Sequence, residues 1–177
     1  MSLPSVLHST AVRALILYLL PSIACAAVLI RFARGGALWA LLCLPATVVH
    51  ELLHFVVGHL VRARPTKLSV WPYRAPGGVC VYGMVGFENI RWWNAAPAAL
   101  APLLGLPMSM AAAWWRIRTS IVTDTWDFLV WLMIAQLLAG SLPSRTDWRL
   151  AGRSWPLFTI GCIAAAAYSC WSSRPHP

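Results

Sequence analysis

Hydrophobic residues fall along this chain in five long blocks, parted by short segments that hold most of the charges. The blocks run at about Ala14–Ile30, Ala37–Val61, Ala95–Trp115, Trp126–Leu142 and Trp155–Trp171. A helix needs about 20 apolar residues to cross roughly 30 Å of hydrocarbon, and the blocks approach that length, the fourth being short. Trp39, Trp92, Trp93, Trp114, Trp115, Trp126, Trp155 and Trp171 fall near block ends, where tryptophan favours the membrane–water interface. Pro21, Pro45, Pro97, Pro102 and Pro107 lie in or near blocks, which a packed membrane bundle tolerates. The pattern predicts an all-α polytopic membrane protein of about five transmembrane helices, with residues 1–177 forming one integral membrane domain.

The segment Arg62–Asn94 breaks the pattern. It holds Pro65, Pro72, Pro76, Gly77, Gly78, Gly83 and Gly86, with Val79-Cys80-Val81-Tyr82 as strand-forming sequence and Pro76-Gly77-Gly78 as a turn signal. One or two short strands, or a β/re-entrant hairpin, are expected between the second and third helices; an ordinary surface loop is the plainer alternative.

Composition agrees with a bilayer as solvent. Hydrophobic residues make up 59% and charged residues 11% of 177 residues, against about 25% charged in soluble domains. The formal charge of +9 would suit nucleic acid, but the cations are scattered among the loops and form no basic helix or aromatic–basic ladder. Nucleic acid is therefore excluded, and anionic lipid head groups and topology account for the charge. With the N-terminus in the cytoplasm, Arg13, Arg62, Arg64, Lys67, Arg74, Arg91, Arg145, Arg149 and Arg153 lie inside, nine cations against five outside, the orientation the positive-inside rule favours. The preference for arginine and alanine suits a GC-rich bacterial genome and hence a bacterial cytoplasmic membrane. The first block could alternatively be a cleaved signal sequence, with Arg13 as its charged region and Ala24–Ala27 as its small-residue site. Cys25, Cys43, Cys80, Cys162 and Cys170 contain no C-x-x-C pair and read as small hydrophobes.

Chemistry enters in the second block. His50-Glu51-Leu52-Leu53-His54 is an H-E-x-x-H motif. Positions i and i+4 share a helix face, so both imidazoles can bind one zinc ion, and the glutamate can reach a water on the metal as general base. The chain has five histidines and two glutamates, so chance is a poor source of the motif. Ionisable groups at bilayer depth cost roughly 2.5–3.5 kcal/mol each on insertion scales, which argues for function over a polar cluster between helices.

Such a site needs a third protein ligand and an open fourth position. His59 would face the opposite side of the helix, and Glu88 lies in the irregular segment. Asp124 and Asp127 fall at the outer side. Asp147 follows the fourth block, which ends on the same side as the inner half of the second, so its depth matches that of His50 and His54. The competing role for Asp147 is helix capping, because Ser144-x-x-Asp147 can form a capping box.

With these residues in view, the chain resembles the site-2-type intramembrane zinc metalloproteases. The resemblance covers about residues 37–148, the expected catalytic core, and rests on His50, Glu51, His54 and Asp147, with Pro143 ahead of the aspartate. Trp148 stands where the family usually has glycine, and the chain has no room for a PDZ domain. The resemblance implies zinc held by His50, His54 and Asp147, Glu51 as the catalytic base, strand-like structure from Lys67–Phe87, and cleavage of a membrane protein substrate in or near its transmembrane segment. Asn94 is a candidate second oxyanion donor, although capping the third helix is its plainer role. Two other classes fit less well. A metal-binding scaffold or assembly factor has no need of Glu51, and a metal transporter needs more intramembrane polar residues than Gln136.

Overall fold

The computed structural model describes residues 3–32, 37–71, 73–74, 80–119 and 123–172. Most of these are helical. Helix α1 (Leu3–Phe32) runs 30 residues through Pro21. Among the described residues, its stretch Ala11–Phe32 is one of two segments long and apolar enough to cross a membrane; the other is Arg145–Ser172. The apolar helices α3 and α6 are shorter, at 17 and 15 residues.

The second hydrophobic block folds as two helices, α2 (Ala37–Leu42) and α3 (Leu44–Leu60), that meet at Cys43. Pro45 explains the break, because its nitrogen carries no hydrogen for the carbonyl four residues earlier. The third block departs further from the single helix expected. It divides into α4 (Ala95–Ala99), a 3-10 turn (Ala101–Leu104) and α5 (Gly105–Thr119). Pro102 removes a helical hydrogen bond and its ring crowds the preceding turn. The small side chains Ala95, Ala98 and Ala99 are then buried completely, so α4 sits close to its neighbours.

Between α3 and α4, four short strands make two antiparallel pairs. Strand β1 (Pro65–Ser69) pairs with β4 (Met84–Phe87), with Leu68 opposite Val85. Strand β2 (Tyr73–Arg74) pairs with β3 (Cys80–Val81). Strand structure is therefore present where expected; Val79 and Pro76-Gly77-Gly78 lie outside the described residues.

Helix α6 (Trp126–Gly140) lies against α1, α3 and α5. At its start a charged network ties three helices together. The Asp127 carboxylate, 1% exposed, accepts from Arg116 Nη2 of α5 at 2.9 Å and from the Tyr18 hydroxyl of α1. Arg116 also pairs with Asp124 at 3.3 Å. After α6, α7 (Arg145–Ala151) and a 3-10 turn (Gly152–Ser154) lead into α8 (Trp155–Ser172), which buries none of its residues.

Candidate metal centre

Helix α3 carries His50, Glu51 and His54 toward a cavity of about 1110 Å³ that Asp147, Tyr82 and Gly83 also line. One ligand atom from each of His50, His54 and Asp147 lies within 4.8 Å of the others, a group that could hold a metal ion. The two Nε2 atoms are 3.1 Å apart. Asp147 Oδ2 is 3.5 Å from His50 Nε2, and Asp147 Oδ1 is 3.3 Å from His54 Nε2.

The other ring nitrogens fix which atoms are free to bind. His50 Nδ1 donates to the Gly140 carbonyl and His54 Nδ1 to the Ala98 carbonyl, both at 2.8 Å. A carbonyl can only accept, so in the neutral rings each Nε2 keeps its lone pair. Two lone pairs facing each other at 3.1 Å beside a carboxylate repel unless a cation or proton lies among them. Zinc–nitrogen bonds of about 2.0–2.1 Å in tetrahedral geometry place two nitrogens roughly 3.3 Å apart. The donor set thus fits such an ion, and the Nδ1–carbonyl bonds orient the ligands as outer partners do in metal sites.

Both carbonyls lack a helical partner. The helical partner of Ala98 would be the nitrogen of Pro102, which has no hydrogen. Gly140 ends α6, and the amide four residues on, Ser144 N, donates to Asp147, so the Gly140 carbonyl is one of the orphans at a helix C-terminus. The histidines therefore satisfy backbone groups that the helices leave unpaired.

Helix α6 grips the junction of α2 and α3 by two further contacts. Gln136 Nε2 donates to the Leu42 carbonyl at 2.9 Å, and its Oε1 accepts from Ala46 N at 3.2 Å. These are the two groups that would bond each other if α2 and α3 were continuous. The Gln136 carboxamide bridges the break one turn before His50. At Gly140 the helices almost touch, since an added Cβ would lie 3.2 Å from the Ala46 carbonyl carbon. Gln136, the polar residue in the apolar stretch of α6 that follows Asp127, thus spans a backbone break.

Asp147 caps its helix and at the same time faces the two imidazoles. Its Oδ2 accepts from Ser144 N at 2.6 Å while its own N–H donates to Ser144 Oγ at 3.2 Å, completing a capping box on α7. The cap fixes the carboxylate where it faces the imidazoles. The 3-10 turn that follows α7 is tied in turn to α4, which carries Ala98, because Ala96 N donates to the buried Ser154 hydroxyl at 2.8 Å.

Glu51 is 7% exposed. Its carboxylate has no hydrogen-bond partner among the described residues, although it faces the cavity. Gly83 makes room for it: a Cβ there would fall 2.6 Å from Glu51 Cγ. A glycine within strand-like sequence is a general signal of close approach, but its partner could not be read from the sequence.

The other candidates lie elsewhere. Glu88 and His59 line a separate cleft, and the His59 ring bonds the Phe55 carbonyl at 3.1 Å. Asp124 and Asp127 belong to the Arg116 network. Asn94 precedes α4 but makes no side-chain cap. Its Oδ1 instead accepts from Arg91 N, and its Nδ2 donates to the Val61 and Asn89 carbonyls. With those donors committed and the side chain wholly buried, Asn94 is not free to bind an oxyanion. Searches against known protein families, curated proteins and solved structures find no match for this chain.

Proposed function

We propose that this chain is a zinc endopeptidase of the site-2-like type, working within a bilayer on a membrane protein substrate. The observation that carries the proposal is the convergence of two Nε2 lone pairs and the Asp147 carboxylate beside a buried glutamate with no partner among the described residues. A purely structural zinc site is closed by four protein ligands, whereas three leave a position for reaction.

The five-span topology belongs to this proposal. Its support is the apolar surface: Leu60 is 76%, Met133 68% and Ile163 65% exposed, and α8 buries nothing. Apolar surface on that scale, spread over helices, needs lipid or a partner to cover it. The short α3 and α6 would then span with their ends drawn in, thinning the bilayer locally.

A zinc ion held by His50, His54 and Asp147 would supply Lewis acidity to a scissile carbonyl. Glu51 takes a proton from the attacking water and returns it to the leaving amine, the role its unpaired carboxylate suits. Glu51 and His54 are 7% and 4% exposed, and such removal from water strengthens the electrostatics of a site. A transmembrane helix hides its carbonyls in its own hydrogen bonds and must unwind before hydrolysis. Tyr82, Gly83 and Met84 line the cavity and offer backbone along which an extended segment can be held.

The test is metal analysis of purified protein. His50→Ala, His54→Ala and Asp147→Ala should each lose most of the zinc while the helical content stays unchanged. Full zinc retention in any one of them would remove that residue from the ligand set.

A further inference from the structure

We propose that the cleft at the C-terminal end of α3 binds a phosphodiester head group bearing a primary ammonium, the chemistry of an ethanolamine phospholipid. This rests on the chain being a membrane protein and is independent of the metal centre.

The cleft is about 550 Å³ and is lined by His59, Arg62, Arg64, Thr66, Glu88 and Asn89. Its two arginines leave an unusual backbone. Arg62 and Arg64 both have positive φ, at 57° and 52°, a region that non-glycine residues seldom occupy. Ala63 between them is fully buried. The conformation is held from the segment 88–94. The Val61 carbonyl accepts from Asn94 Nδ2 at 3.3 Å, and that of Arg62 from Asn89 Nδ2 at 2.8 Å. The Ala63 carbonyl accepts from Asn89 N and that of Arg64 from Glu88 N, both at 3.1 Å. Two strained residues in three, fastened by four hydrogen bonds, is more structure than a solvated loop requires. Strain of this kind clusters at binding sites.

The frame carries two guanidinium groups to one cleft. Among the described residues, neither has a carboxylate within ion-pair distance. Arginine forks match phosphate oxygens in geometry and charge, and the Thr66 hydroxyl adds a donor. Glu88 decides the rest of the ligand. A carboxylate in the same cleft repels a purely anionic head group and suits an ammonium beside the phosphate. Leu60, 76% exposed at the neighbouring end of α3, offers acyl chains a surface.

The experiment is calorimetric titration of the purified full-length protein in nonionic micelles. The probes are short-chain phosphatidylethanolamine, short-chain phosphatidylglycerol and soluble glycerophosphoethanolamine. Wild type should bind the ethanolamine lipid saturably and more tightly than the glycerol lipid. Arg62→Asn with Arg64→Asn, chosen because asparagine tolerates positive φ, should weaken both lipids at least tenfold with helical content unchanged. Glu88→Gln should weaken only the ethanolamine lipid, by roughly tenfold, the scale of one charge-assisted hydrogen bond. Weak binding of glycerophosphoethanolamine assigns the lipid as source, and equal binding assigns a soluble phosphodiester. Equal affinity for the two lipids in wild type, or unchanged binding in the double arginine variant, would overturn the proposal.

Discussion

The smallest features govern the chemistry. Asp147 is cap and candidate ligand at once, so alanine there conflates two losses, a capping contribution of about 0.5–2 kcal/mol and a metal ligand. Asp147→Asn separates them. Its side-chain oxygen can still accept from Ser144 N, so α7 should remain folded. Zinc affinity should fall beyond the roughly 10–100-fold that loss of an outer-shell partner costs. Competition with a fluorescent chelator measures it, and wild-type affinity would leave Asp147 a cap only. Gly83 makes a complementary case. Gly83→Ala places a methyl against Glu51, which displaces the base without touching a ligand. Zinc content should hold while turnover falls about 10²-fold, the scale of a 1 Å misplacement. Matched zinc content and cleavage assays read the two effects apart.

At the scale of elements, the break between α2 and α3 is the feature on which the site depends. Gln136 occupies the Leu42 carbonyl and the Ala46 amide, and Gly140, one turn on, receives His50. Gln136→Leu leaves both backbone groups unpaired at a cost of roughly 1–3 kcal/mol each. The expected outcome is a lower midpoint of unfolding in micelles together with weaker zinc binding, because the first turn of α3 loses its anchor. A stability loss with wild-type zinc affinity would make Gln136 structural alone. The same region shows what the sequence could and could not disclose. His50 and His54 were legible because a four-residue spacing acts within one helix turn. Asp147 followed from counting the direction of the hydrophobic blocks. The Gly140 and Ala98 carbonyls were not legible, since they lie 90 and 44 residues from the histidines they meet. Pro102 hints at a broken third block, but its hydrophobicity predicts one long helix where α4, a 3-10 turn and α5 stand. Asn94 stands at a helix start, as its sequence position predicts, but its side chain bonds the Val61 and Asn89 carbonyls instead of capping the helix.

Over the whole molecule, a polar clamp at one end of the bundle is separate from the metal centre. Asp127 joins Tyr18 and Arg116 across α1, α5 and α6. The proposed topology puts that clamp on the outer side and the α3–β1 junction in the cytoplasm. In that proposal the cation count of nine inside to five outside places the N-terminus in the cytoplasm and, with five spans, the C-terminus outside. Reporter fusions after Gly152 and at the C-terminus should give cytoplasmic and external signals respectively. A cytoplasmic signal at the C-terminus would contradict the five-span arrangement.

The central claim is that Glu51 is a base in a hydrolytic zinc site. Glu51→Gln keeps the side chain's shape and leaves His50, His54 and Asp147 untouched. The most direct measurement is fragment formation from single-span membrane substrates co-expressed with wild type or Glu51→Gln, at matched zinc occupancy. The expected result is cleavage by wild type, lowered by at least the ~10²–10⁴ that general acid–base catalysis contributes, with zinc retained. Equal fragment yields from the two proteins, or no fragment from wild type across a broad panel together with full function of Glu51→Gln in cells, would contradict it and leave a metal-binding scaffold.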